Sequence, residues 1–199
     1  MSEPAPATRL WLVRHGQSTW NAAGRIQGQS YQAGSLTSTG REQAEQAAGQ
    51  LALDAPGAVV IVASDLARTA ETAAIIAGRL GLPLEFDAGL REQDLGELEG
   101  TTAVSGDGDV LGQFWDDPYR LPPGGESVAA MYDRVHRTLR RLAAARPGAE
   151  LIVVTHGGPV RVATVAKLPP PGTPLARTAV GNASITPWPG PVHTEMVAP

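Results

Sequence analysis

Three short apolar runs constrain the 199-residue chain most: Thr8-Arg-Leu-Trp-Leu-Val13, Ala58-Val-Val-Ile-Val-Ala63 and Leu151-Ile-Val-Val154. Each is too short to cross a bilayer and too continuously apolar for a strand with one face in water, so each reads as a buried strand. The stretches between them are helix-forming, and strand, helix, strand in that order predicts a parallel sheet. The expected fold class is α/β, a single-domain three-layer sandwich with a mostly parallel central sheet and helices on both faces.

The helices have their own signals. Residues Ser38 to Leu53 are rich in Ala, Glu, Gln and Leu, and Asp54-Ala-Pro-Gly57 ends that run. Ser64-Asp65 offers N-cap chemistry for a helix ending before Gly81-Leu-Pro83. Val128, Met131, Tyr132, Val135, Leu139 and Leu142 recur at three and four residues, with Arg134, Arg137, Arg140 and Arg141 on the other side of the same helix. Pro169-Pro-Pro-Gly172 reads as a linker, and Asn182 to Thr186 with Val192 to Val197 as two closing strands. Residues 101–125, with Gly106, Gly108, Gly112 and Pro122-Pro-Gly-Gly125, read as a lid-like loop excursion within one domain spanning 1–199.

Composition removes several classes of function. Sixteen Lys and Arg against twenty Asp and Glu give a net charge of −4, which disfavours a nucleic-acid partner. There is no cysteine, so disulfides, thiolate metal sites and thiol nucleophiles are excluded. No charged-then-apolar leader opens the sequence and no apolar run spans a membrane, so the expectation is a soluble, cytoplasmic protein without membrane partners. The four histidines, His15, His136, His156 and His193, show neither His-x-His nor His-Glu-x-x-His spacing, so no metal is expected. His136 and His193 read as structural.

His15 follows the first strand in Val-Arg14-His15-Gly16, and His156 follows a later one in Val-Thr-His156-Gly157-Gly158. Both fall at the carboxyl ends of strands, where open α/β sheets bind ligands, and each is followed by glycine that admits a ligand to the backbone. Arg14 lies beside His15. A guanidinium grips phosphate oxygens with paired donors, each worth roughly 1.5–3 kcal/mol. Arg68 is a second candidate, although a helical wheel sets it opposite the stripe of Leu66, Ala70, Ala73, Ala77 and Leu80, which a solvated arginine would satisfy equally well.

From residue 9 to 187 the chain resembles the histidine phosphatase superfamily, the phosphoglycerate-mutase-like proteins. Seven pieces occur in the family's order: Leu12-Val-Arg-His-Gly-Gln-Ser-Thr-Trp-Asn21; Arg25-Ile-Gln-Gly28; Leu36-Thr37 with Gly40 and Gln43-Ala44; Ser64-Asp-Leu-Ala-Arg68-Thr69 with Glu71-Thr72-Ala73; Leu90-Arg-Glu92 with Gly96 and Glu99-Gly100; Pro123-Gly-Gly-Glu-Ser127; and Val154-Thr-His-Gly-Gly158. An Arg-His-Gly triplet alone is a weak match, whereas seven ordered pieces are specific. The resemblance implies that His15 is a nucleophile forming a phosphohistidine, with Glu92 as general acid and then base. It implies phosphate contacts from Arg14, Asn21, Gln27, Gly28, Arg68, His156 and Gly157, and no cofactor or metal. Glu92 is selected by the family's Leu-x-Glu pattern, and Asp94 is its nearest rival.

The family holds phosphatases and mutases. A mutase in this family carries extra cations after the acid motif, but residues 101–126 hold only Arg120 against Asp107, Asp109, Asp116, Asp117 and Glu126. So abbreviated and acidic a lid disfavours a second anionic group on the substrate, which makes a phosphatase of small phosphomonoesters the expected activity. The alternatives are mutase-type phosphoryl transfer and a non-catalytic binder of phosphorylated ligands. Phe114, Trp115 and Tyr119 are candidate apolar contacts for the leaving group, or anchors of the loop. Substrate identity and oligomeric state stay open, a homodimer included.

Overall fold

The structure, a computed structural model, describes residues 7–105 and 108–188. In chain order these form β1 (Arg9–Arg14), α1 (Thr19–Ala22), α2 (Ser38–Asp54), β2 (Ala58–Ala63), α3 (Ala67–Leu80), β3 (Leu84–Phe86), β4 (Val104–Ser105), β5 (Gly108–Asp109), α4 (Gly112–Asp116), α5 (Val128–Ala145), β6 (Glu150–Thr155), α6 (Gly157–Ala163) and β7 (Ile185–Trp188). The three apolar runs are the inner strands β1, β2 and β6.

The main sheet has the order β3-β2-β6-β1-β7, with β7 alone antiparallel. Because side chains alternate across a strand, each inner strand feeds two cores. Leu10, Leu12, Val60, Val62, Leu151 and Val153 pack with Met131, Val135 and Leu139 of α5 and Val160 of α6. Val13, Ile61, Ala63, Ile152 and Val154 pack with Ala48 and Leu51 of α2 and Ala73 and Ile76 of α3. Helices therefore cover both faces, as the apolar runs require. Among the described residues no helix is long and apolar enough to cross a membrane.

Four expectations need correction. α3 starts at Ala67 with Leu66 as an uncapped N-cap, because Ser64 and Asp65 spend their side chains elsewhere, on His156 and Arg91. The buried face of α3 is Arg68, Thr69, Thr72, Ala73 and Ile76 rather than the stripe through Ala70, Ala77 and Leu80. The closing strand is Ile185–Trp188, not Asn182 to Thr186, and Val192 to Val197 lies outside the described residues, as does His193. Residues 101–125 are less irregular than their glycines suggest, since β4 and β5 pair antiparallel and α4 follows.

Candidate active site

Parallel pairing of β1 with β6 sets Val13 opposite Val154 and Arg14 opposite Thr155, so the next residues, His15 and His156, emerge side by side. Their ring centroids are 5.2 Å apart, and the rings are 2% and 0% exposed. Ser64, just past β2 on the other side of β6, completes the row: its hydroxyl lies 2.9 Å from Nε2 of His156. Three adjacent strand ends thus deliver two imidazoles and the group that orients one of them.

Burial, then the charges of Arg68 and Arg14, push the His15 pKa well below its ordinary 6.5, so the ring is neutral at physiological pH. Its Nδ1 lies 2.7 Å from the Gly16 carbonyl, which can only accept, so Nδ1 holds the proton. Nε2 is left with its lone pair, and the Nε–H of Arg68 donates to it at 3.3 Å. Burial first, then Arg68, likewise lowers the His156 pKa well below 6.5.

Arg68 is 1% exposed, so the solvated reading does not hold. The loop after β1 wraps over the first turn of α3, and Nη2 of Arg68 donates to the Gly28 carbonyl at 2.8 Å. Burial lowers its pKa to about 10, which still leaves it charged at neutral pH. Nη1 of Arg68, Nε of Arg14 and Nδ1 of His156 are buried without a hydrogen-bond partner among the described residues. Native interiors rarely leave such groups unpaired, and Arg14 and Arg68 bring theirs to a cavity that His15 also lines, as an oxyanion needs, while His156 is not among the lining residues.

Asn21, Gln27 and Gly28 line the same cavity. Their link is Ser18, which sequence reading passed over: its hydroxyl donates to Gln27 Oε1 at 2.7 Å, and its backbone N–H donates to Asn21 Oδ1 at 3.1 Å. Asn182, also missed, donates from Nδ2 to the His15 carbonyl at 3.2 Å and to Asn21 Oδ1 at 3.3 Å. Gly28 sits at φ +48° over Glu99, a conformation and a crowding that a side chain would not tolerate.

Glu92 lines the cavity, and Asp94 does not. The Asp94 carboxylate instead accepts from the Gly96 N–H at 3.0 Å. Glu92 Oε1 accepts from the Gln93 N–H at 3.0 Å and Oε2 from the Gly158 N–H at 3.3 Å. A Cβ on Gly158 would overlap the Glu92 carboxylate, so the glycine leaves room for that carboxylate against α6. Arg134 lies on the side of α5 opposite its apolar stripe. It donates to the carbonyls of Arg91 at 2.9 Å, Gly89 at 3.1 Å and Glu92 at 3.1 Å, and pairs with Glu126. It clamps the backbone that carries Glu92.

The cavity measures about 190 Å³ and its wall includes Gly157, Ala103, Leu111 and Trp115. Of the three aromatic candidates only Trp115 lines it; Phe114 is core, and Tyr119 is exposed with its hydroxyl donating to the Pro169 carbonyl at 3.1 Å. Five arginines border the space: Arg14, Arg25, Arg68, Arg161 and Arg177. The last two come from α6, beyond its Gly157-Gly158 start, and from the segment after Gly172, and neither arginine belongs to a motif. Among the described residues no group of three His, Asp or Glu could hold a metal ion.

Residues 10–188 match the model of the histidine phosphatase superfamily (branch 1). A glucosyl-3-phosphoglycerate phosphatase of Mycolicibacterium vanbaalenii is 38% identical over 190 residues, 88% of this chain and 81% of the relative. A probable phosphoglycerate mutase, GpmB, of Salmonella paratyphi C is 41% identical over 155 residues, 75% of this chain and 69% of the relative. Among solved structures, a mycobacterial glucosyl-3-phosphoglycerate phosphatase in complex with VO3 superposes with a TM-score of 0.77 at 34% identity, covering 90% of this chain and 91% of that one. With the sequence match running from β1 to β7 and the solved fold agreeing over the same span, the chain belongs to the histidine phosphatase superfamily.

Proposed function

We propose that the protein hydrolyses small phosphomonoesters through a phosphohistidine on His15. The observation that carries this reading is the deprotonated Nε2 of His15 beside unpaired buried guanidinium donors on Arg14 and Arg68, with the unpaired Nδ1 of His156 buried behind them. Nε2 attacks phosphorus, the bond to the leaving oxygen breaks, and Glu92 gives that oxygen its proton. Glu92, now a carboxylate, takes a proton from water; the water oxygen attacks phosphorus, the P–N bond breaks, and inorganic phosphate leaves with His15 restored. Arg14, Arg68 and His156 hold the non-bridging oxygens throughout, and Asn21, Gln27, Gly28 and Gly157 shape the wall around them. Residues 101–125 act as the lid over the leaving group. The relative solved with VO3 supports phosphate chemistry in a pocket of this fold. A cytoplasmic location and the absence of a metal requirement complete the reading.

The test is hydrolysis of an aryl phosphate by the wild type, His15→Ala, Glu92→Gln and Asp94→Asn, with and without a chelator. His15→Ala should be inactive and should trap no acid-labile phosphoryl group. Glu92→Gln should lose about 10²- to 10⁴-fold on alkyl phosphates and less on aryl phosphates, whose leaving group needs no proton. Asp94→Asn should stay within a few-fold of wild type. Activity lost to chelator, or surviving in His15→Ala, would overturn the mechanism. Phosphate moving between positions of phosphoglycerate without release would favour the mutase, and tight binding without turnover the binder.

A further inference from the structure

We propose that Thr72 is a positioning residue for the phosphoryl transfer: its hydroxyl fixes the nucleophile His15 and the phosphate-binding Arg68 in one register. The inference rests on the phosphatase reading for the chemistry that this register serves.

Four hydrogen bonds close a ring through these residues. The His15 ring holds its proton on Nδ1 against the Gly16 carbonyl at 2.7 Å. The Gly16 N–H donates to Oγ1 of Thr72 at 3.1 Å, and that hydroxyl donates to the Arg68 carbonyl at 2.8 Å. From the same arginine, the Nε–H returns to Nε2 of His15 at 3.3 Å. All four bonds are buried, and Thr72 is fully so. Its hydroxyl gives its one proton and takes one in return, and a satisfied buried network of this kind is rigid.

A helical threonine that bonds a carbonyl of the preceding turn is ordinary, and α3 supplies the comparison. Thr69, equally buried on that helix, donates to the Leu66 carbonyl at 2.7 Å. Thr72 makes the same local bond and also accepts a donor from outside the helix. That donor depends on it, because Gly16 is buried and the Thr72 hydroxyl is the one acceptor of its N–H among the described residues. From the opposite side, a Cβ on Gly16 would stand 2.2 Å from the Gly40 carbonyl oxygen in the first turn of α2. The residue whose carbonyl sets the His15 tautomer is therefore held between two helices.

Thr72 touches neither the phosphoryl group nor the reacting nitrogen. It acts through two residues at once, the one that keeps the proton on Nδ1 and the one that aims a guanidinium at Nε2. Without the hydroxyl, Gly16 and the first turn of α3 can shift independently. A misplacement of about 1 Å at reacting atoms costs about 10²-fold in rate.

The test compares Thr72→Val, which keeps the shape and removes both bonds, with Thr72→Ser, which keeps the hydroxyl, and Thr69→Val, which removes only a local bond. Thr72→Ala stands in for Thr72→Val should that protein not fold. On aryl and alkyl phosphates alike, Thr72→Val should lose about ten- to a hundredfold in kcat/KM, while Thr72→Ser and Thr69→Val stay within a few-fold of the wild type. Ring-nitrogen NMR at neutral pH, with the His15 signals assigned by their loss in His15→Ala, reads the link without turnover. The wild type, Thr72→Ser and Thr69→Val should show the Nδ1–H tautomer, and Thr72→Val a mixture with Nε2–H. An unchanged tautomer or near-wild-type activity in Thr72→Val, an equal loss in Thr69→Val, or no rescue by Thr72→Ser would overturn the role and leave the phosphatase standing. A wild type without turnover would instead overturn the phosphatase reading, and the tautomer comparison would still decide the link.

Discussion

The Nε–H of Arg68 points at the lone pair of His15 Nε2 from 3.3 Å, so one arginine adds its charge to burial in keeping the histidine unprotonated and also occupies the approach to it. A bound phosphoryl group would take over that donor as the P–N bond forms. Arg68→Gln should cut kcat/KM by about 10²- to 10³-fold, as loss of one preorganised donor does. It should also move the acidic limb of the kcat/KM profile toward neutral pH, because removing the cation lets the His15 pKa rise. A profile that loses height without moving would contradict the electrostatic half of this role.

Gly158 and Gly157 should respond differently to one added methyl group. In Gly158→Ala the Cβ meets the Glu92 carboxylate, whereas in Gly157→Ala it meets only the guanidinium ends of Arg161 and Arg14 at 3.3 and 3.5 Å. Gly158→Ala is expected to lose activity on alkyl phosphates by about tenfold or more, on the scale of general acid catalysis. Gly157→Ala should lose less, with both proteins melting near the wild-type temperature.

Arg134→Met tests the clamp. Three carbonyls and the Glu126 carboxylate would lose their donor, and hydrogen bonds to charged groups run at roughly 1.5–3 kcal/mol each, partly recovered by water at this half-buried site. Chemical denaturation should show a loss of about 2–3 kcal/mol. kcat should fall more than KM rises, since Arg14 and Arg68 keep their own supports.

Stability should decline on acidification from pH 7.5 to 5. His15, His136 and His156 all have folded-state pKa values below 6.5, burial being the first cause in each. Below pH 6.5 the unfolded chain therefore binds protons that the folded chain refuses, and each such histidine takes away up to about 1.4 kcal/mol per pH unit. The penalty is absent above that pH. Unfolding of His156→Asn by denaturant at pH 5 and 7.5 should show a shallower dependence than the wild type.

The scaffold was legible because its signals are local. Continuous apolar runs announce β1, β2 and β6, and the spacing from Val128 to Leu142 announces α5. His15 and His156 follow from those strand ends, and the family pattern separates Glu92 from Asp94. What stayed hidden depends on what a polar side chain meets across the fold. A helical wheel shows that Arg134 and Arg68 face away from an apolar stripe, but not that one meets loop carbonyls and the other a buried site. Ser64 and Asp65 look like caps until His156 and Arg91 claim them. Arg161, Arg177 and Asn182 belong to no motif, and their place becomes visible only when β7 turns back along β1.

That return of the chain has a temporal side. The Val180 carbonyl accepts from Arg14 Nη1 at 2.5 Å, the Ser184 carbonyl accepts from the Arg14 N–H at 3.1 Å, and Asn182 holds His15. The first-synthesised strand thus has its reactive end fastened by residues that leave the ribosome more than 160 positions later. A nascent chain halted before Thr178 would have β1, β2, β3 and β6 available to pair but would lack the Val180, Asn182 and Ser184 contacts that fasten Arg14 and His15. These fastenings of Arg14 and His15 therefore form only as the segment through Ser184 emerges.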